Sequence, residues 1–248
     1  MAKSGKKAKK RGGKKARKRT QTEVATVAEA ASTGAPADDS AAAAEVMVEP
    51  TVVDLWVDPQ CPWSWLASRW LLEVESVRPV RMHLHVMSLS VLNEHRAVPP
   101  DERERLDQGW AVVRVTLAVA EHYGPEQLSR FYTALGTRIH LGHEGLGRDT
   151  VAAALDEVGL PPELIARGDT GDNDDALRAS HWDAMNRVGP DNSSPVISIA
   201  GRSFSGPFLT HRPHGEAAGQ LYDHLAGLIA YPGFYALKRT ADAAPDFD

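Results

Sequence analysis

The sequence predicts a mixed α/β domain, and three observations support this fold class. Residues 52–57 form an apolar run of strand formers that only Asp54 interrupts. Large apolar residues then recur at helical spacing from position 63 to position 77. Residues 80–86 alternate between apolar and polar side chains, as in a half-buried strand. Strand, helix and strand in direct succession predict a parallel β–α–β unit.

The rest of the domain is predicted to be a helical insertion followed by a hairpin and a closing helix. The insertion is expected to span about 99–190. Its predicted helices are Gly109–Tyr123, Glu126–Ile139, Thr150–Val158, Pro161–Arg167 and Asp174–Val188. The sequence then predicts a strand at Pro195–Ile199, a turn at Ala200–Arg202, a partner strand at Ser203–Ser205 and a helix at His214–Ile229.

A tail, residues 1–48, is predicted to precede this domain, which spans residues 49–248. Residues 1–20 contain eleven Lys/Arg and no acid, and the following segment has hardly any large apolar side chain. Such a composition cannot bury enough surface to offset the entropy of ordering, so the tail is expected to be disordered. A basic arm of this kind predicts weak, sequence-independent binding of nucleic acids or other polyanions, although a solubilising role is an equal alternative.

Composition excludes several classes of function. The single cysteine excludes an internal disulfide framework and a cysteine-rich zinc site, and it suits a reducing cytoplasm. No apolar run is long enough for a membrane span, and the basic start has no apolar stretch behind it. His140 and His143 lack an acidic partner that would define a metal site. Without a glycine-rich phosphate loop, no tightly bound nucleotide cofactor is expected.

The chemistry is predicted to run through Cys61, which lies where the first strand gives way to the first helix. A helix N-terminus offers free N–H groups and the positive end of the helix dipole, which both favour a thiolate. Thiols in such positions have pKa values of about 3.5–7.5. Pro62 suits the first helical position, Trp63 would form an apolar wall, and Ser64 could donate a hydrogen bond to the sulfur. The alternative is that Cys61 is a small buried apolar residue.

A set of short strings between Val52 and Asp248 resembles the mycothiol-dependent nitroreductases, a family of DsbA-like cytoplasmic proteins. The first strings are Asp58-Pro59-Gln60-Cys61-Pro62-Trp63, Ser68-Arg69-Trp70, His85-Val86-Met87-Ser88-Leu89, Leu92-Asn93-Glu94 and Arg138-Ile139-His140. Further along are Leu177-Arg178-Ala179-Ser180-His181, Gly206-Pro207 and Leu237-Lys238-Arg239-Thr240. The resemblance implies a thioredoxin-like, DsbA-type fold with an inserted helical subdomain.

The resemblance also implies a site and a co-substrate. It implies a thiol redox enzyme that uses mycothiol as co-substrate, holds no tightly bound cofactor and reduces nitro-compounds. By match to the family pattern, Asn93 and His140 would line the thiol cleft beside Trp63. In thioredoxin-like folds a cis proline, here Pro195, packs against the active cysteine, and the residue before it, Ser194, offers backbone hydrogen bonds to a thiol substrate.

Ser64 departs from the family pattern, in which a second cysteine commonly occupies this position. Without that thiol, an adduct on Cys61 would have to be resolved by an external small thiol. The leading hypothesis is therefore a monothiol oxidoreductase that acts on a disulfide or a small electrophile. One alternative is a glutathione-transferase-like or isomerase activity that uses Ser64. The other is a non-catalytic polyanion-binding protein.

Overall fold

The computed structural model describes residues 49–240 and 243–247. The predicted disorder of residues 1–48 and the predicted polyanion binding of residues 1–20 therefore fall on residues outside this part of the chain. Within the described ranges, no helix is both long enough and apolar enough to cross a membrane.

The N-terminal half of the sheet is the predicted parallel β–α–β unit. Strand β1 spans Thr51–Val57, helix α1 spans Pro62–Val77 and strand β2 spans Val80–Val86. β1 and β2 are parallel and in register along their whole length. Helix α1 begins directly after Cys61 with a proline in its first turn, as the sequence predicts, because proline at that position lacks only an N–H that would be unpaired anyway.

The insertion consists of helices between β2 and β3. The α-helices are α2 (Leu89–Leu92), α3 (Pro100–Gly136), α4 (Arg148–Glu157) and α5 (Asp174–Val188), with a π-helical turn at Thr137–Leu141 and a 3-10 helix at Pro162–Asp169. α3 consists of two helical segments separated at position 124, as predicted, but the first begins at Pro100 rather than Gly109 and the second ends at Gly136 rather than Ile139. The break lies at Gly124, whose φ of 80° interrupts the helix, and Pro125 begins the second segment.

A hairpin and a helix complete the domain. Strands β3 (Val196–Ile199) and β4 (Arg202–Ser205) are antiparallel, and helix α6 spans Gly215–Ala230. β3 also pairs antiparallel with β1, which gives the strand order β2-β1-β3-β4. A parallel β–α–β unit joined to an antiparallel hairpin and a helix is a thioredoxin-like arrangement. The predicted fold class, with its helical insertion, is confirmed.

Among the described residues, three apolar clusters stabilise this architecture. The largest joins the face of the sheet that carries Leu55 and Ile197 to α1, α3 and α6, and includes Trp70. On the opposite face of the sheet, Trp56 and Val196 pack with Met185 of α5. A third cluster lies within the insertion, among α3, α4 and the 3-10 helix. Because β1 lies inside the sheet and is buried, the residues packed around it also fix the position of the turn that follows it.

Candidate active site

The turn after β1 brings Cys61 to the start of α1. The Cys61 N–H donates to the Asp58 carbonyl at 3.0 Å, and the Trp65 N–H donates to the Cys61 carbonyl at 3.1 Å. The latter is the first bond of the helix, with Pro62 in its first turn. The thiol therefore lies at a helix N-terminus, as the sequence predicts.

The thiol is buried, with 3% of Cys61 exposed, and its Sγ donates to the Ser194 carbonyl at 3.4 Å. This burial raises the pKa of Cys61, while the hydroxyl and N–H of Ser64 lower it and the nearby Asp58 charge raises it. The expected lowering of the pKa by the helix terminus is thus wrong for this closed arrangement, because desolvation outweighs the hydrogen bonds from Ser64. Any reaction at sulfur requires the covering residues to move aside.

Two serines close the interior side of the thiol. The hydroxyls of Ser64 and Ser194 form a hydrogen bond with each other, and the Ser194 hydroxyl also accepts from the Asp58 N–H at 3.3 Å. The Ser194–Pro195 peptide bond is cis, as predicted. Ser194 thus meets Cys61 through its carbonyl and Ser64 through its hydroxyl, so the residue pair singled out in the sequence comes together at the sulfur.

Asp58 belongs to this site, and the sequence reasoning gave it no role. Its Oδ1 accepts from the Gln60 N–H at 2.7 Å, and its Oδ2 accepts from the Leu89 N–H at 2.5 Å. Burial raises the pKa of the Asp58 carboxyl from 3.8 to about 6, against the lowering effect of these bonds. Its position in the sequence could have indicated such a role, because Asp58 is a charged residue directly after a buried strand and three residues before the cysteine.

A cleft of about 390 Å³ borders the other side of the active-site turn. It is lined by Gln60, Pro62, Arg105, Gln108, Ile139, His140, His143, Gly145, Leu146 and Phe247. The lining combines apolar side chains with amides, imidazoles and one guanidinium. Most of the surface of the cleft is apolar, with a few polar groups, which is the usual composition of a site for a small organic molecule.

His140 is buried between this cleft and the interior. Its ring stacks on Trp65 with centroids 5.6 Å apart and contacts Phe247 with centroids 5.5 Å apart. Burial lowers the pKa of His140 to about 4, so the imidazole is neutral at pH 7. Its Nε2 lies 3.0 Å from the Pro59 carbonyl and must carry the proton there, because a carbonyl only accepts. The predicted cleft residue thus lines the cleft and also supports the active-site turn.

Trp63 and Asn93, the other two residues predicted at the thiol cleft, are not part of the lining of this cleft. Trp63, two residues after Cys61, is half-buried and meets the ring of Phe208 edge-on, with the ring centroids 6.2 Å apart. Asn93 ends α2, and its amide donates to the Leu89 carbonyl at 2.8 Å. Asn93 is not among the residues lining the cleft beside Pro62. Its part in thiol binding stays a prediction.

A buried stack behind the site fixes α1 against α3. The Arg69 guanidinium lies 4.2 Å over the Trp65 ring, and its Nη1 donates to Thr133 at 3.0 Å. Burial lowers the pKa of Arg69 to about 10. A Cβ at Gly136 would collide with the Trp65 ring, so only glycine allows α3 to approach this closely. Among the described residues, no group of three or more potential ligands could hold a metal ion.

Fold and site together define the class of protein. A thioredoxin-like domain with a cysteine at the N-terminus of its first helix, next to a cis proline, is a thiol-dependent oxidoreductase. The family model of the Rv2466c-like proteins, described as mycothiol-dependent nitroreductase Rv2466c, matches residues 60–239. The chain therefore belongs to this family, and the predicted resemblance is confirmed.

More distant likenesses were also found. The chain is 26% identical over 196 residues to the uncharacterised protein Rv2286c of Mycobacterium tuberculosis, covering 78% of this chain and 84% of that one. A solved protein disulfide isomerase homologue from Nitrosomonas europaea is 14% identical, covers 72% of this chain and 98% of its own, and has a TM-score of 0.47. The cytosolic disulfide reductase DsbM from Pseudomonas aeruginosa, solved with GSH, is 20% identical, covers 71% and 96%, and has a TM-score of 0.44.

Proposed function

We propose that this protein is a monothiol oxidoreductase in which Cys61 is the nucleophile and a small thiol of the mycothiol class resolves its adducts. The observation that carries the proposal is the position of Cys61, the chain's single cysteine, at the N-terminus of α1 with the Ser64 hydroxyl beside its sulfur. Ser64 can hydrogen-bond a thiolate but cannot attack a disulfide. The second thiol must therefore come from solution.

The proposed catalytic cycle needs no bound cofactor, because two thiols supply all of its electrons and protons. In thiol–disulfide exchange, the Cys61 thiolate attacks one sulfur of a small disulfide and expels the other as a thiolate. A second small thiol then attacks the mixed disulfide and releases Cys61. For a nitro-compound, Cys61 and one small thiol supply two electrons and two protons, which leaves a nitroso group, one water and the mixed disulfide. The family's activity supports nitro-compounds as substrates, and a free thiol supports action in the reducing cytoplasm.

The cleft beside Pro62 supports a small thiol as the partner. It borders the active-site turn, and its lining includes a single cation, Arg105, together with polar but uncharged amides and the neutral His140. A small thiol of low charge that presents both apolar and hydrogen-bonding groups suits such a lining. Because Cys61 is buried, we expect binding in this cleft to accompany the movement that exposes the sulfur.

The test is the comparison of Cys61→Ser with Ser64→Ala. Incubation with oxidised mycothiol should add one mycothiol mass to the wild-type protein, and the adduct should disappear when reduced mycothiol is added. Cys61→Ser should form no adduct and have no thiol-dependent nitroreductase activity. Ser64→Ala should lose about tenfold in rate, because one hydrogen bond to the thiolate is gone.

The opposite pattern would reverse the assignment. If Cys61→Ser kept most of the activity while Ser64→Ala lost it, Ser64 would be the working residue, and the transferase-like or isomerase alternative would lead. Circular dichroism of both variants checks that neither result comes from unfolding.

A further inference from the structure

Helix α5 carries the string Leu177–His181, which resembles the family pattern but has no part in the cycle above. Two neighbouring residues of this string bind the backbone that leads out of β2. The Ser180 hydroxyl donates to the Val86 carbonyl at 2.6 Å, and the Ser88 N–H donates to His181 Nδ1 at 3.4 Å. α5 therefore holds the chain at the end of β2 and at the start of α2.

The next N–H along the chain binds the active-site turn instead. The Leu89 N–H donates to Asp58 Oδ2 at 2.5 Å, and Asp58 Oδ1 accepts from the N–H of Gln60, the residue before Cys61, at 2.7 Å. The two peptide planes that carry these consecutive N–H groups are separated only by the φ and ψ angles of Ser88, so a shift of the first plane moves the second. Two adjacent peptide groups thus connect α5 to the turn that holds the thiol.

His181 is completely buried and acts as a neutral acceptor. Its exposed fraction is 0%, and burial, together with the nearby Arg96 charge, lowers its pKa to about 4, so the ring is neutral at pH 7. Because Nδ1 accepts from a backbone N–H, the proton lies on Nε2, which has no hydrogen-bond partner among the described residues. An apolar side chain would avoid that unpaired group. What the imidazole supplies, and an apolar residue would not, is the acceptor at Nδ1.

We propose that His181 is a positioning residue for the active site, whose Nδ1 fixes the start of α2 so that the Leu89 N–H stays on the Asp58 carboxylate beside Cys61. His181 is not among the residues that line the cleft, and it acts through the backbone rather than on a reacting atom. The inference deepens the proposed function, since it names what holds the reactive turn in place. Its test does not depend on which small thiol reacts.

The measurable consequence is a change in the titration of Asp58. A hydrogen bond to a carboxylate stabilises the charged form, so the Leu89 N–H lowers the pKa of Asp58 against the effect of burial. When His181 no longer holds the preceding peptide, this bond should lengthen, and the pKa of Asp58 should rise above its value of about 6. A role in packing alone would lower stability without moving this pKa.

The experiment compares His181→Leu with His181→Asn in the full-length protein. Leucine removes the acceptor, whereas the Oδ1 of asparagine lies where Nδ1 lies in histidine and keeps it. The carboxyl carbons of labelled aspartates are followed by NMR between pH 4 and pH 8, and the Asp58 signal is assigned by its loss in Asp58→Asn. We expect a raised pKa of Asp58 in His181→Leu and the wild-type value in His181→Asn.

Other charges near Asp58 do not confuse this titration. Among the described residues, Arg105, Cys61 and Tyr132 also interact with the Asp58 charge, and these groups keep their charge between pH 4 and pH 8. α5 itself should stay docked in both variants, because the Arg178 guanidinium donates to the two carboxylate oxygens of Glu94 at 2.6 and 3.0 Å.

Leu155→Ala is the control for lost stability, since Leu155 is completely buried in the cluster within the insertion. It should destabilise the protein and leave the pKa of Asp58 as in the wild type. An unchanged pKa in folded His181→Leu, or an equal rise in His181→Leu and His181→Asn, would overturn the inference. If His181→Leu does not fold, His181→Phe, which keeps a ring without an acceptor, takes its place with the same expectation. Failure of Cys61 to form any adduct would instead refute the proposed function.

Discussion

The two sides of Cys61 differ in how fully their polar groups are paired. On the interior side, Asp58, Ser64 and Ser194 bond to one another, to backbone N–H groups and to the sulfur. On the cleft side, Gln60 has an acceptor without a partner, and Arg105 and Gln108 are exposed. These interior bonds fix the position of the thiol, whereas the exposed groups on the cleft side are available to a ligand. The groups that set the reactivity of the thiol and the groups that contact its partner therefore lie on opposite sides of Cys61.

The largest expected effect comes from changing the interior side from hydroxyl to thiol. Ser64→Cys should form an internal disulfide with Cys61, because the Ser64 side chain already hydrogen-bonds the sulfur. A thiol held this close should shorten the lifetime of a small-thiol adduct on Cys61 by at least about tenfold. Stopped-flow mixing with quenching by acid and intact-mass detection measures that lifetime.

The matched control is Ser68→Cys, one turn further along α1 and equally buried. It should leave the lifetime of the adduct as in the wild-type protein. An unchanged lifetime in Ser64→Cys would show that the interior side does not control resolution.

The sequence predicted the framework of the site well because its signals are local. The strand end, Pro62 and the helical spacing place Cys61 at a helix N-terminus. The cis bond before Pro195 was predicted instead from the resemblance to thioredoxin-like folds, since the dipeptide alone does not indicate it. The raised pKa of Cys61 could not be predicted, since it arises from burial by residues more than a hundred positions away, such as Ser194. The same is true of Phe247, which reaches the cleft from the far end of the chain.

The start of α3 was missed for a different reason. Gly124 and Pro125 are both helix breakers, and the break that they predict is present in the structure. The first segment, however, begins at Pro100 rather than at Gly109. Residues 101–108 are mostly charged, so apolar periodicity gives no helical signal there.

The next effect concerns the charge on the interior side. The pKa of Asp58 rises from 3.8 in its ordinary state to about 6 in the fold, so the folded protein binds the proton more tightly than the unfolded chain does. This contribution to stability is fully present below about pH 3.8 and is lost as the pH rises through 6. Asp58→Asn removes it. The free energy of unfolding of wild type minus variant should therefore rise by about 2 kcal/mol between pH 7 and pH 4.

Urea unfolding at the two pH values measures this difference, and Asp107→Asn, an exposed position on α3, is the control that should show none. A second readout is independent of stability. Because the Asp58 charge raises the pKa of Cys61, iodoacetamide should alkylate the Asp58→Asn variant faster than wild type at pH 8. A difference in unfolding free energy that does not change with pH would contradict the assignment of Asp58 as the buried acid of the site.

The third expected effect tests the packing that both sides share. Trp65 supports Cys61 through the first helical bond and supports the cleft through its stack with His140. A Cβ at position 136 would lie 2.3 Å from two atoms of the Trp65 ring, which is held by Arg69 and cannot move aside freely. Gly136→Ala should therefore destabilise the protein by about 1–3 kcal/mol, the usual cost of overpacking a core.

Gly227→Ala is the matched control, since it lies inside α6 with no atom near an added Cβ. That change should stabilise the protein by up to about 1 kcal/mol through helix propensity alone. If shared packing couples the two sides, Gly136→Ala should also speed alkylation of Cys61 and change its rate of exchange with small thiols, because Trp65 and His140 shift together. A variant that loses stability but keeps both properties would show that the two sides of Cys61 are supported independently.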